Sequence, residues 1–105
     1  MGANTFYTEA DGATAQEAFS KAVDDAAWEN GHGGYTGTIA EKDSFTMIEI
    51  PATYLPHALT PFSRACAYAV DLVNEGDKRV DDKWGPAGCI EYAKGKYLFF
   101  GWASS

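Results

Sequence analysis

Basic residues are scarce in this chain: eight Lys and Arg stand against fifteen Asp and Glu, leaving a formal net charge of -7. Association with phosphate polymers or anionic membranes is driven by clustered Lys and Arg. Only Lys78, Arg79 and Lys83 come close together, so neither a nucleic-acid polymer nor a membrane surface is an expected partner. Cysteine is nearly missing. Cys66 and Cys89 are too few for a disulfide framework and lie within apolar patterns, as expected of reduced thiols in a cytoplasmic core. No stretch approaches the length of a membrane span, and the N-terminus lacks a basic segment followed by an apolar run. The position where a myristoylation signal wants Ser or Thr holds Phe6. Histidine is limited to His32 and His57. These and the two cysteines show no zinc spacing, and Glu75, Asp77, Asp81 and Asp82 miss the calcium-loop pattern, so no metal and no cofactor is expected. A small anionic ligand survives these exclusions, because backbone amides can hold phosphate without net positive charge.

What remains is core material. With 46% apolar and 14% aromatic residues over 105 positions, the chain is expected to fold as one domain spanning residues 1–105. Thr5 to Glu9 is rich in strand formers and ends at the turn signal Asp11-Gly12. Thr14 with Glu17 forms a capping-box pattern, and Ala15, Ala18, Phe19, Ala22, Val23, Ala26 and Ala27 follow helical spacing up to a stop at Gly31. Trp28 falls beside that stripe and is expected to pack at the helix rim. Ser44 to Ile50 alternates as a strand, and Pro51 ends it. Thr60 and Pro61 suit the N-cap and first position of a second helix with Phe62, Ala65, Cys66, Ala69, Val70 and Val73 on its apolar face and Gly76 as its stop. Asp77 to Asp82 reads as a solvated connection. Gly88 to Ala93 and Tyr97 to Ala103 form a hairpin around Lys94-Gly95. Leu98, Phe99 and Phe100 are apolar on both faces, which marks a central or well-covered strand.

The expected class is therefore α+β: strand, helix, strand, helix, strand, strand, with two helices on one face of a four-stranded mixed sheet. Such a form leaves one sheet face bare. With Tyr7, Tyr92, Tyr97, Phe99 or Trp102 available to that face, a homo-oligomer is expected.

One stretch exceeds what packing needs. Residues 31–42 carry four of the eleven glycines between a helix and a strand. Amides from Gly33, Gly34 and Gly37 can converge on one acceptor, Thr36 and Thr38 add hydroxyls, Lys42 adds charge, and Tyr35 offers a stacking face. The loop matches neither dinucleotide nor P-loop fingerprints and leads into a strand, so a structural or oligomer-locking role stands beside ligand binding. Arg64, one turn into the second helix, can bind an anionic ligand or pair with a Glu or Asp, the commoner arrangement. Trp84, in the rigid turn Trp84-Gly85-Pro86-Ala87-Gly88, can clamp a planar group with Tyr35 if the turn borders the loop. His32 is the sole ionisable group inside the glycine run and the candidate for proton transfer.

The segments Gly33-Gly34-Tyr35-Thr36-Gly37-Thr38-Ile39-Ala40-Glu41-Lys42 and Asp82-Lys83-Trp84-Gly85-Pro86-Ala87-Gly88-Cys89-Ile90 resemble stretches of short uncharacterised bacteriophage proteins. The two segments make up nineteen of the 105 residues. The resemblance implies a context, a small cytoplasmic protein of an infected bacterium, and no site residues. Compact phage oligomers that sequester nucleotide signals of host defence supply an analogy. The leading expectation is thus a homo-oligomeric binder of a small phosphate-bearing ligand, leaning away from an enzyme. The alternatives are an inhibitor or adaptor acting on a host protein through an aromatic or acidic surface, and a small hydrolase using His32.

Overall fold

The computed structural model describes residues 2–30, 34–56 and 60–105. Its elements are β1 (Ala3–Asp11), α1 (Ala15–Asn30), a 3-10 turn (Ile39–Glu41), β2 (Phe45–Met47), α2 (Pro61–Glu75), β3 (Ala87–Ala93) and β4 (Lys96–Ser104). The class is α+β, two helices with a four-stranded mixed sheet.

Local chemistry sets the boundaries. The Glu17 amide donates to Thr14 Oγ1 at 3.1 Å, and the Glu17 carboxylate accepts the Ala13 amide at 3.0 Å, so orphan donors at the start of α1 are satisfied. Thr60 caps α2 by accepting the Ser63 amide at 3.0 Å, Pro61 follows as the first helical residue, and Gly76 ends it at φ 69°. The β3–β4 hairpin closes at Gly95, φ 74°, with a register shift between Glu91 and Ala93.

The strand order is β1-β4-β3-β2, with β4 antiparallel to both neighbours and β2 parallel to β3. On β4 the odd residues Tyr97, Phe99 and Ala103 join Ala18, Phe19 and Ala22 of α1 in one buried cluster. The even residues Leu98 and Phe100 join Ala65, Ala69, Leu72 and Val73 of α2 in another. Because successive strand residues point to opposite faces, the two helices lie on opposite sides of the sheet. The expectation that both share one face is corrected accordingly. Its cause is topological. The chain crosses the sheet from β1 to β2 in one direction and returns from β2 to β3 in the other, and two crossovers of the usual right hand then fall on opposite faces.

That layering removes the bare face from which self-association was expected: Tyr97 and Phe99 are buried under α1, and Tyr92 and Trp102 pack against the α2 cluster. The alanines of α1 let Phe19 sit between Phe45 and Phe99, at ring separations of 5.1 and 5.5 Å. Burying one such ring stabilises by about 2 to 3 kcal/mol. On α2 the buried stripe includes Leu72 and turns Phe62 and Val70 outward, 37% and 39% exposed. Val80, the single apolar member of the charged connection, is buried in the α2 core. Trp28 does not pack as expected and is 88% exposed.

Candidate functional site

The glycine-rich loop is seen from Gly34 onward; Gly31, His32 and Gly33, and likewise His57, lie outside the described residues. Gly34 and Gly37 both take left-handed conformations, φ 70° and 69°. Around Gly34 a side chain would meet open space, whereas at Gly37 a Cβ would approach Asn4 Nδ2 to 2.7 Å. The Gly37 amide donates to the Ser104 carbonyl at 2.7 Å, which stitches the loop to the C-terminal end of β4, beyond its pairing with β3.

The donors of this loop are largely committed to the loop itself. Glu41 accepts the Thr36 amide at 3.0 Å and the Thr36 hydroxyl at 2.9 Å. Since that hydroxyl has one proton, the 2.8 Å contact between Thr36 Oγ1 and Thr38 Oγ1 is donated by Thr38. Thr38 Oγ1 in turn accepts the Ala40 amide at 3.2 Å and starts the 3-10 turn. Lys42, expected as the charge facing a ligand, is only 3% exposed. Its ammonium donates to the carbonyls of Asp82, Lys83 and Gly85 at 3.3, 3.1 and 2.8 Å, using all three of its protons. Burial lowers its pKa, with the Asp82 carboxylate acting in the opposite sense. Lys42 thus acts as a brace between the loop and the Trp84 turn.

The brace brings the two sequence segments together. Trp84, its amide held by Asp82 Oδ1 at 2.8 Å, meets Tyr35 edge-on with ring centroids 5.4 Å apart and planes inclined by 74°. Trp84 and Tyr35 border the loop as a clamp requires, yet the rings occupy each other's space and leave no slot for a planar group. Both remain open to solvent, 60% and 50% exposed, with the Lys83 ammonium 5.3 Å from the indole centre.

Arg64 is placed elsewhere. It lies in the second turn of α2 and lines a groove of about 840 Å³ together with Ile48, Glu49, Ile90, Glu91 and Tyr92. Its Nη2 donates to the Pro51 carbonyl at 2.9 Å and the Tyr54 carbonyl at 3.3 Å. No hydrogen bond among the described residues uses its Nε or Nη1. Neither Tyr35, Lys42 nor Trp84 lines this groove. Tyr92 donates its hydroxyl to Glu9 at 2.8 Å and packs edge-on against Phe62 at 5.2 Å. Burial, followed by the bond to the Glu9 carboxylate, pushes the Tyr92 phenol up to about 12. Tyr54 is likewise pushed up to about 12, by burial and then by its 2.6 Å bond to Asp71. A second cavity, about 390 Å³, runs between β1 and α1 past Thr8, Lys21, Asp25, Glu29 and Thr38.

Sequence reasoning missed the groove because its walls come from three separate segments. The available signal was Ile48-Glu49-Ile50, whose alternation continues past the end of β2 and exposes Glu49 between two inward isoleucines. Cys89 is buried, its thiol pushed up to about 12 by desolvation, and burial also raises Cys66. Among the described residues no cluster of three or more His, Cys, Asp or Glu is arranged for a metal, and no helix is long and apolar enough to cross a membrane. No protein-family model, curated protein or solved structure matches the chain.

Proposed function

We propose that this protein binds a small ligand carrying an anionic group and a ring, of the phosphate-bearing nucleotide class, in the groove beside the N-terminus of α2. The observation that carries the reading is Arg64. It borders a cavity of ligand size while part of its guanidinium has no acceptor among the described residues. Ile48, Ile50 and Ile90 supply apolar wall, Tyr92 an aromatic edge, and Glu49 and Glu91 acceptors for amino groups. Phosphate at Arg64 with an exocyclic amine at a glutamate satisfies both signs of charge. The biological setting proposed with it, by analogy with compact phage oligomers, is the sequestering of a nucleotide signal of host defence.

A thermal-shift and calorimetry panel of cyclic nucleotides and ADP-ribose derivatives tests this. We expect at least one member to stabilise the protein, with affinity falling at least tenfold in Arg64→Lys, which keeps the charge and loses the planar fork. Folded protein that responds to no member rules the reading out.

A second reading is favoured by the Tyr35 and Trp84 pair. Exposed aromatics held on a braced backbone are the material of protein-binding hot spots, because little side-chain freedom is lost on contact. In that case Trp84→Ala abolishes capture of a host protein and Arg64→Lys leaves it intact.

A further inference from the structure

We infer that the outer edge of β1 pairs antiparallel with β1 of a second copy about a two-fold axis at Tyr7, joining two sheets into one of eight strands. The inference is independent of the groove reading, since β1 and β2 are opposite edges of the sheet and the groove lies on the β2 side.

The hydrogen-bond parity of β1 is fixed by its ends. Gly2 and Ser105 exchange reciprocal bonds of 3.4 and 3.1 Å, and the Gly12 amide donates to Gly95 at 3.0 Å. Alternate residues of an antiparallel strand bond to the same neighbour, so the even residues of β1 face β4. The odd residues Ala3, Thr5, Tyr7, Glu9 and Asp11 direct their N–H and C=O groups outward. No hydrogen bond among the described residues reaches that side. The register with β4 is unbroken over nine residues. This edge lacks the proline, lysine or bulge with which proteins blunt such strands.

Its side chains select the occupant. The charges on β1 are two acids at one end, Glu9 and Asp11. Parallel pairing in register sets each acid beside its own copy. Antiparallel pairing centred on Tyr7 instead sets Glu9 against Thr5 and Asp11 against Ala3, so no like charges meet and all five outward residues pair. A register centred on Glu9 brings the glutamates together. Five reciprocal pairs give about ten interchain bonds. Tyr7, 40% exposed in one chain, meets its own copy across the axis as a cross-strand aromatic pair.

Sedimentation equilibrium of the full chain should give a concentration-dependent mass approaching twice 11.3 kDa. Tyr7→Lys places two ammonium groups together at the axis and should weaken the dimer at least tenfold, whereas Thr5→Lys places each lysine opposite Glu9 of the other copy and should tighten it about threefold to tenfold. Circular dichroism of each variant separates dissociation from unfolding, and Thr5→Lys alone keeps the test decisive if Tyr7→Lys fails to fold. A chain that remains monomeric up to its solubility limit overturns the inference, leaving the edge to a strand of another protein. A dimer indifferent to Thr5→Lys overturns it equally.

Discussion

The loop from Gly34 to Lys42 and the groove beside α2 hold similar chemical groups, a cation, hydroxyls and aromatics, but differ in what those groups are doing. In the loop the Lys42 ammonium has three backbone acceptors, and both threonine hydroxyls serve Glu41 or each other. In the groove Arg64 spends one nitrogen on two carbonyls beside open volume. Composition alone leaves the loop as either a binding or a structural element. Occupancy of its donors fits a scaffold that holds Tyr35 and Trp84 in place, and the binding proposed for the groove rests on the part of Arg64 that has no acceptor among the described residues.

Replacing the braced cation tests this contrast most severely. Lys42→Met leaves the Lys83 and Gly85 carbonyls without a donor in a part-buried position, while the Asp82 carbonyl keeps the Gly85 amide, and should cost about 3 kcal/mol in urea unfolding, with Trp84 fluorescence shifting red as the turn loosens. If stability is unchanged, the loop is not built as described. Next in size is the pair of loop glycines. Gly37→Ala combines a left-handed backbone with a 2.7 Å approach to Asn4 and should cost about 2 kcal/mol. Gly34→Ala, strained in φ alone, should cost about 1 kcal/mol. Equal losses would show that Gly37 is not packed against Asn4 of β1.

The groove side should answer to alkali. The folded pKa of Tyr92 is raised to about 12, above the ordinary 10.0, so its contribution is complete below pH 10 and declines as pH rises towards 12. After allowance for solvent screening this amounts to about 1 kcal/mol, and Tyr92→Phe should flatten that limb of the stability profile by the same amount. The smallest effect expected is that of Arg64→Lys on folding, about 0.5 kcal/mol, since both of its carbonyl partners are near the surface. A large loss there would make Arg64 a brace like Lys42 and erase the distinction between the two regions.

Much of the architecture could be read from local signals, and the reasons are specific. Thr14 with Glu17, Thr60 with Pro61, Gly76 and Gly95 act within a few residues of themselves, so their roles survive any tertiary setting. The α2 face was read correctly at Ala65, Cys66, Ala69 and Val73 and missed at its margins: Phe62 and Val70 are equally apolar at the right spacing, but only the position of the helix over Leu98 and Phe100 determines that Leu72 is the inward residue. The candidate site was read less well. Tyr35 and Trp84 do meet, but Arg64 and Lys42 look alike as charges in a sequence and differ only in what surrounds them.

The helix caps, the hairpin, and the two-sided apolar character of β4 belong to the order of residues, because capping, periodicity and turn geometry are short-range effects, whereas β1 and β2, expected over 5–9 and 44–50, pair over Ala3–Asp11 and Phe45–Met47 as their neighbours dictate. Which face each helix covers, the burial of Lys42, the opening beside Arg64 and the unpaired edge of β1 were settled only when distant segments came together. Strand order and the exhaustion of hydrogen-bond partners are properties of neighbours in space, and separations of forty residues, such as Lys42 to Asp82, leave no trace in local pattern.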